Sequence, residues 1–258
     1  MQSTSLQCMR HRSVHRSILC SLLTAVSLGL ANPGVMAQSI STEAKAASNQ
    51  AGPVLAAAQR DFTLFAQHHL QTRSGGGAGV PAGFPLDIND WQDLKDAKAV
   101  YGFPVYSVDP NDLLAGRSDL RSMAKPNGQW RVLISVGDRP VGLATLEQSN
   151  GRWEVISYGA AVLAKDVDAS MGVHANASRS NVRFIRIYQA KSDLLEVVSA
   201  NDGYARFMPL YSARTSLSLK QRSLNAPDAA TDQVSLMEGA DLVQSLRAVV
   251  KTNMDNFR

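Results

Sequence analysis

His174 is the first residue whose setting suggests chemistry. It stands in a polar stretch with Asn176, Ser178 and Ser180, and Asp166, Asp168 and Asp202 flank that region. A histidine that takes a proton from a serine hydroxyl while a carboxylate orients it makes a hydrolase triad. The Gly-x-Ser-x-Gly turn that would present such a serine is absent. A triad of this kind can be drawn in most chains of this size, so the preferred reading of His174 is an ordinary loop histidine, with an exported hydrolase as the alternative.

His68 and His69 are the second candidates, for metal ligation or acid–base work. Neighbours on a helix point about 100° apart and cannot easily share one ion. His69 falls on the apolar face and reads as a packing residue, His68 as a surface one. The acids Asp87, Asp90 and Asp93, and Asp109 with Asp112, sit where helices begin. Carboxylates there cap free amides and favour the helix dipole, and neither group has the spacing of a calcium loop. No metal site and no cofactor are expected. The run Ser74-Gly75-Gly76-Gly77-Ala78-Gly79 lacks the preceding strand and the Gly-Lys-Ser/Thr ending of a phosphate loop, and reads as a linker.

Trp130 and Trp153, with Tyr158 nearby, need no further residues to act. As core residues they anchor a sheet; on an open face they form a platform for a sugar ring or a peptide side chain.

Compartment narrows the choices. Arg10, Arg12 and Arg16 precede an apolar run from Ile18 to Ala31, then Pro33-Gly34 and Val35-Met36-Ala37, the three parts of an export signal. The run is shorter than the roughly 20 apolar residues of a membrane span. Cleavage is expected between Ala37 and Gln38, with the mature chain in the periplasm or the medium and no stable membrane insertion. Both cysteines, Cys8 and Cys20, lie inside the signal, so the mature chain forms no disulfide and offers no thiol nucleophile. Removing the three signal arginines from the formal charge of +4 leaves +1. A surface this near neutral, with its basic residues scattered, gives no electrostatic case for nucleic acid.

The elements that must position these residues follow from periodicity. Residues 1–37 are the signal and 38–52, rich in Ser, Ala and Gln, a flexible leader. A helix is expected from Pro53 to Thr72, with Leu55, Ala58, Phe62, Phe65 and His69 on one face. A short helix starting at Asp90 turns Trp91, Leu94 and Ala97 inward. Phe103 to Val108 is a strand whose Pro104 argues for an edge or a strand start. Gln129 to Gly159 is a three-strand meander: alternating side chains are broken at Gly137-Asp138 and at Asn150-Gly151, the latter a strong hairpin signal. A short helix follows, then strands near Phe184–Tyr188, Leu194–Val198 and Tyr204–Tyr211, the last continuing towards Leu219.

The domain is thus 53–221, a linker covers 222–233, and a terminal helix covers 234–252, opened by a Ser235/Glu238 capping box. The fold expected is α+β, with helices on one face of an antiparallel sheet. A cystatin-like or a profilin- or PAS-like arrangement is compatible, an analogy that transfers no function. The function expected is a non-enzymatic binding or accessory module that meets an unknown protein or small ligand on its sheet. The apolar stripe of the terminal helix is a further candidate surface for a homo-oligomer.

Overall fold

Alternation of inward and outward side chains along the second strand organises the molecule. In this computed structural model, residues 33–72, 79–219 and 235–256 are described, with side chains from residue 49 onward. Residues 1–32 of the segment read as an export signal, residues 73–78 and the segment 222–233 read as a linker lie outside them. Seven strands form one mixed sheet in the order β4-β3-β2-β1-β5-β6-β7. They are β1 (Ala97–Val108), β2 (Ala124–Val136), β3 (Arg139–Ser149), β4 (Arg152–Gly159), β5 (Val182–Ile187), β6 (Ser192–Val198) and β7 (Ala205–Pro209). The class is α+β as expected, but β1 and β5 run parallel, Val105 opposite Phe184, so the sheet is not wholly antiparallel.

Helices cover both faces, not one. Val132 and Leu133 are neighbours in β2 and must point to opposite sides. Val132 packs with Val54, Ala58 and Phe62 of α1 (Pro33–Thr72). Leu133 packs with Ala164, Val167 and Met171 of α5 (Ala161–His174). A third cluster joins Ile185, Ile187 and Leu194 of β5 and β6 to Leu242, Val243, Leu246 and Val250 of α7 (Gly239–Asp255). Small helices α2 (Asp93–Asp96), α3 (Pro110–Leu114), α4 (Leu120–Met123) and α6 (Tyr211–Ser216) fill the connections. No helix among the described residues is long and apolar enough to cross a membrane.

Several expectations are corrected by pairing between distant segments. The first helix begins at Pro33 and passes through the segment read as a flexible leader and through the Ala37–Gln38 junction, with Pro53 in its interior. Ala97 opens β1 instead of ending a helix, and β1 lies in the centre of the sheet despite Pro104. Proline is tolerated there because the β5 ladder starts one residue later, at Val105, and β1 bulges against β2 between Pro104 and Tyr106. Pro209 does sit on an edge strand, as its missing donor suggested. The chain does not continue as a strand towards Leu219 but turns into α6. The Ser235/Glu238 box does not form: Met237 pairs with Phe207 at the outer side of β7, holding this segment extended, and α7 begins at Gly239 without a side-chain cap.

Both outer strands are guarded. Arg60 of α1 donates to the Trp153 carbonyl at 3.0 Å, and Asp61 accepts from the Val155 amide at 3.0 Å, so two outward-facing backbone groups of β4 are occupied. The Phe207–Met237 bridge does the same for β7. An incoming strand would have to displace these contacts.

Candidate functional site

The β2-β3-β4 meander carries the two tryptophans to one end of the sheet. Trp130 pairs with Leu146, and Gln148 pairs with Trp153, so register puts both indoles on the face that α1 covers. Their ring centroids are 6.3 Å apart with planes at 71°, an edge-to-face contact. Trp130 is buried at 4% exposure, while Trp153 is half-buried. Together they line a groove of about 600 Å³, within the size range of small-ligand sites.

The groove has an apolar and a polar wall. Pro104 and Tyr106 of β1 continue the surface begun by the indoles, and Gln50 of α1 borders it. The polar border is the bulged stretch of β2, where Gly128 adopts φ +85°, together with Gln148 of β3, whose side chain shares the indole face, and Glu147, whose side chain alternation sends to the opposite face of the sheet. On that opposite face the side chains of Gln129, Glu147, Tyr188 and Asn127 are held by one another. Gln129 Nε2 donates to Glu147 Oε1 at 2.7 Å, the Tyr188 hydroxyl donates to Gln129 Oε1 at 3.1 Å, and Asn127 Nδ2 donates to Tyr188 at 3.1 Å. The Gln129 backbone amide donates to Asn127 Oδ1 at 3.0 Å. This chain fixes the amide orientation of Gln129 and leaves Glu147 Oε2 as an acceptor without a hydrogen bond among the described residues. The side-chain amides of Gln50 and Gln148 likewise make none there. No lysine, arginine or histidine lines the groove among the described residues.

Behind Tyr106 lies a buried ionic group. Arg183 stacks over the Tyr106 ring at 4.9 Å and bonds Glu196, a residue with no exposed surface. Arg121 adds a second ion pair to Glu196 at 3.3 Å. Arg183 also donates to the Arg121 carbonyl, so the tyrosine rests on a rigid support.

Tyr158 is not part of the groove. It lies under α1, its ring 4.4 Å from that of Phe65 and 6.0 Å from that of Phe62, and its hydroxyl has no hydrogen-bond partner among the described residues. Burial, reinforced by the charge of Asp61, pushes its pKa well above the ordinary tyrosine value.

His174 is the last residue of α5 rather than part of a free loop. Its ring makes no hydrogen bond to a serine or carboxylate among the described residues, and burial holds its pKa below the usual value. The serines beside it are engaged with each other and with Asn176. The three carboxylates are engaged too: Asp166 accepts from the Tyr211 amide and pairs with Arg214, Asp168 accepts from the Tyr101 hydroxyl, and Asp202 accepts from the Tyr204 amide. The structure therefore brings together the tryptophans but not the elements of a triad.

The other candidates resolve into packing and capping. His69 sits among Phe65, Phe84 and Trp91, with ring centroids 4.5, 5.1 and 6.0 Å away. Asp90 and Asp109 accept from the amides two residues on, at 2.7 and 2.8 Å. Asp87 pairs with Lys165 at 2.5 Å and Asp93 with Arg139 at 3.1 Å. No cluster of three metal-ligating side chains occurs among the described residues. The amides Asn127, Gln129 and Gln148 and the acid Glu147 were not singled out from sequence; their only signal was proximity to the tryptophans along the meander. No protein-family profile, curated protein or solved structure matches this chain.

Proposed function

We propose that this chain is exported and acts outside the cytoplasm as a non-enzymatic binding module, with its ligand seated in the Trp130–Trp153 groove. The observation that carries the reading is a partly open indole, Trp153, set edge-to-face against Trp130 with the Gln148 amide beside it on the same face. The Trp153 indole loses little conformational entropy when a ligand arrives, because its contact with Trp130 fixes it beforehand. The guarded outer strands argue for a ligand on the face over a partner strand added at an edge.

A thermal-shift survey of soluble saccharides, short peptides and nucleosides tests the proposal. One class is expected to raise the melting temperature of the purified protein, and Trp153→Ala is expected to abolish that rise while leaving the far-ultraviolet circular dichroism unchanged. If the variant still responds like the wild type, the ligand sits elsewhere and the groove is not the site. If no class raises the melting temperature, the binding reading itself fails.

A further inference from the structure

Resting on the groove reading, we infer that its ligand is an uncharged oligosaccharide, with one sugar ring packed on the exposed part of the Trp153 indole. Three features of the lining lead to this chemistry.

The first is charge. The groove is lined by no cationic side chain among the described residues, and its one acidic residue, Glu147, directs its carboxylate to the opposite face of β3. A phosphate, sulfate or carboxylate ligand would find no compensating positive group there, which costs free energy inside a partly desolvated site. Anionic ligands are disfavoured on this ground.

The second is the kind of polar group. Gln148 and Gln50 each present an amide, which both donates and accepts. A sugar hydroxyl also donates and accepts, so neighbouring hydroxyls on one ring can satisfy such a mixed wall.

The third is shape. Trp130 is buried and contributes only a margin to the floor, whereas Trp153 is half-buried and stands at the rim. A pyranose has one face of C–H groups and an equator of hydroxyls; the first suits an indole and the second suits the amide wall. Pro104 continues the apolar surface beside the indoles, which favours a short chain over a monosaccharide.

The experiment uses intrinsic fluorescence of the purified protein, titrated with three neutral hexasaccharides (maltohexaose, cellohexaose and the hexamer of N-acetylglucosamine), an anionic heparin hexasaccharide and a proline-rich decapeptide. At least one neutral hexamer is expected to give a saturable change, and the heparin fragment none. Trp153→Ala should weaken the sugar about tenfold or more, and Gln148→Ala should weaken it by a smaller factor, about threefold, as expected for one hydrogen bond. Saturable binding of the peptide or the heparin fragment without any neutral sugar would overturn the saccharide assignment and leave the groove intact as a site. Sugar binding unaffected by both substitutions would overturn the groove as well. Absence of response to every neutral hexamer also rejects the saccharide class.

Discussion

Asp61 of α1 accepts the outward amide of Val155 in β4, while the adjacent Arg60 donates to the carbonyl of Trp153 two residues earlier. Two consecutive helix residues thus close the edge of the sheet beside the groove. Burial pushes the Asp61 carboxyl up, but hydrogen bonds from Arg60 and Val155, with the charges of Arg60 and Arg152, outweigh it and hold the pKa below the ordinary value. The native state therefore binds fewer protons than the unfolded chain in acid. The stabilisation is complete above the unfolded aspartate pKa of about 3.9 and is lost as pH falls through the lower folded value. Asp61→Ala should cost about 1 kcal/mol at neutral pH, an amount limited by partial solvent exposure. Urea unfolding of both proteins across a pH series checks this, with the two stabilities converging at the acid end. A difference that persists undiminished below that window would show that the carboxylate charge is irrelevant.

Glu196 answers two arginines from a fully buried position. Glu196→Gln leaves two guanidinium groups facing a neutral amide, and breaking a buried pair from one side costs about 3 kcal/mol. Because Arg183 stacks on Tyr106, the substitution should also loosen the groove floor. Chemical denaturation gives the first effect, and faster amide exchange around Tyr106 gives the second. A loss below about 1 kcal/mol would mean that the arginines find other partners.

Gly142 has no room for a side chain. A Cβ there would lie 2.5 Å from Leu86 Cδ2 and 3.1 Å from the Gly159 carbonyl oxygen. Gly142→Ala should destabilise the protein by about 1–3 kcal/mol through overpacking. Leu86→Ala opens space on one side only, since the Gly159 carbonyl belongs to the backbone. The double variant is expected to recover part of the Gly142→Ala loss and not all of it, which a double-mutant cycle measures. Strict additivity would place the clash elsewhere.

Export makes a prediction about covalent structure. Material recovered from outside the cytoplasm should begin at Gln38, as read by intact mass. The cut would fall inside α1, yet Val54, Ala57, Ala58 and Phe62, which dock that helix, lie beyond it. The shortened protein should therefore keep its fold and its melting transition. Recovery with Met1 retained would reject the export reading.

How far the chain could be read in advance depended on how local each feature is. The meander was legible because its signals sit within a few residues: Asn150 and Gly151 both adopt positive φ, at 50° and 77°, as a tight hairpin turn requires. Period-four spacing likewise marked Phe62 and Phe65 as the buried side of α1. The capping box at Ser235 was a sound local rule overruled by a distant residue, Phe207, whose backbone claimed Met237. His174 drew attention because a polar stretch resembles a loop, although α5 extends to include it.

The sequence alone therefore determined the α+β class and the hairpins, since side-chain period and turn residues are properties of neighbouring residues. Tertiary structure decided the parallel β1–β5 junction, the guarding of β4 by Arg60 and Asp61, and the meeting of Trp153 with Gln148 and Tyr106 in one groove. These join segments from four separate strands and a helix, and no local preference encodes which distant partner offers the largest burial or the vacant hydrogen bond.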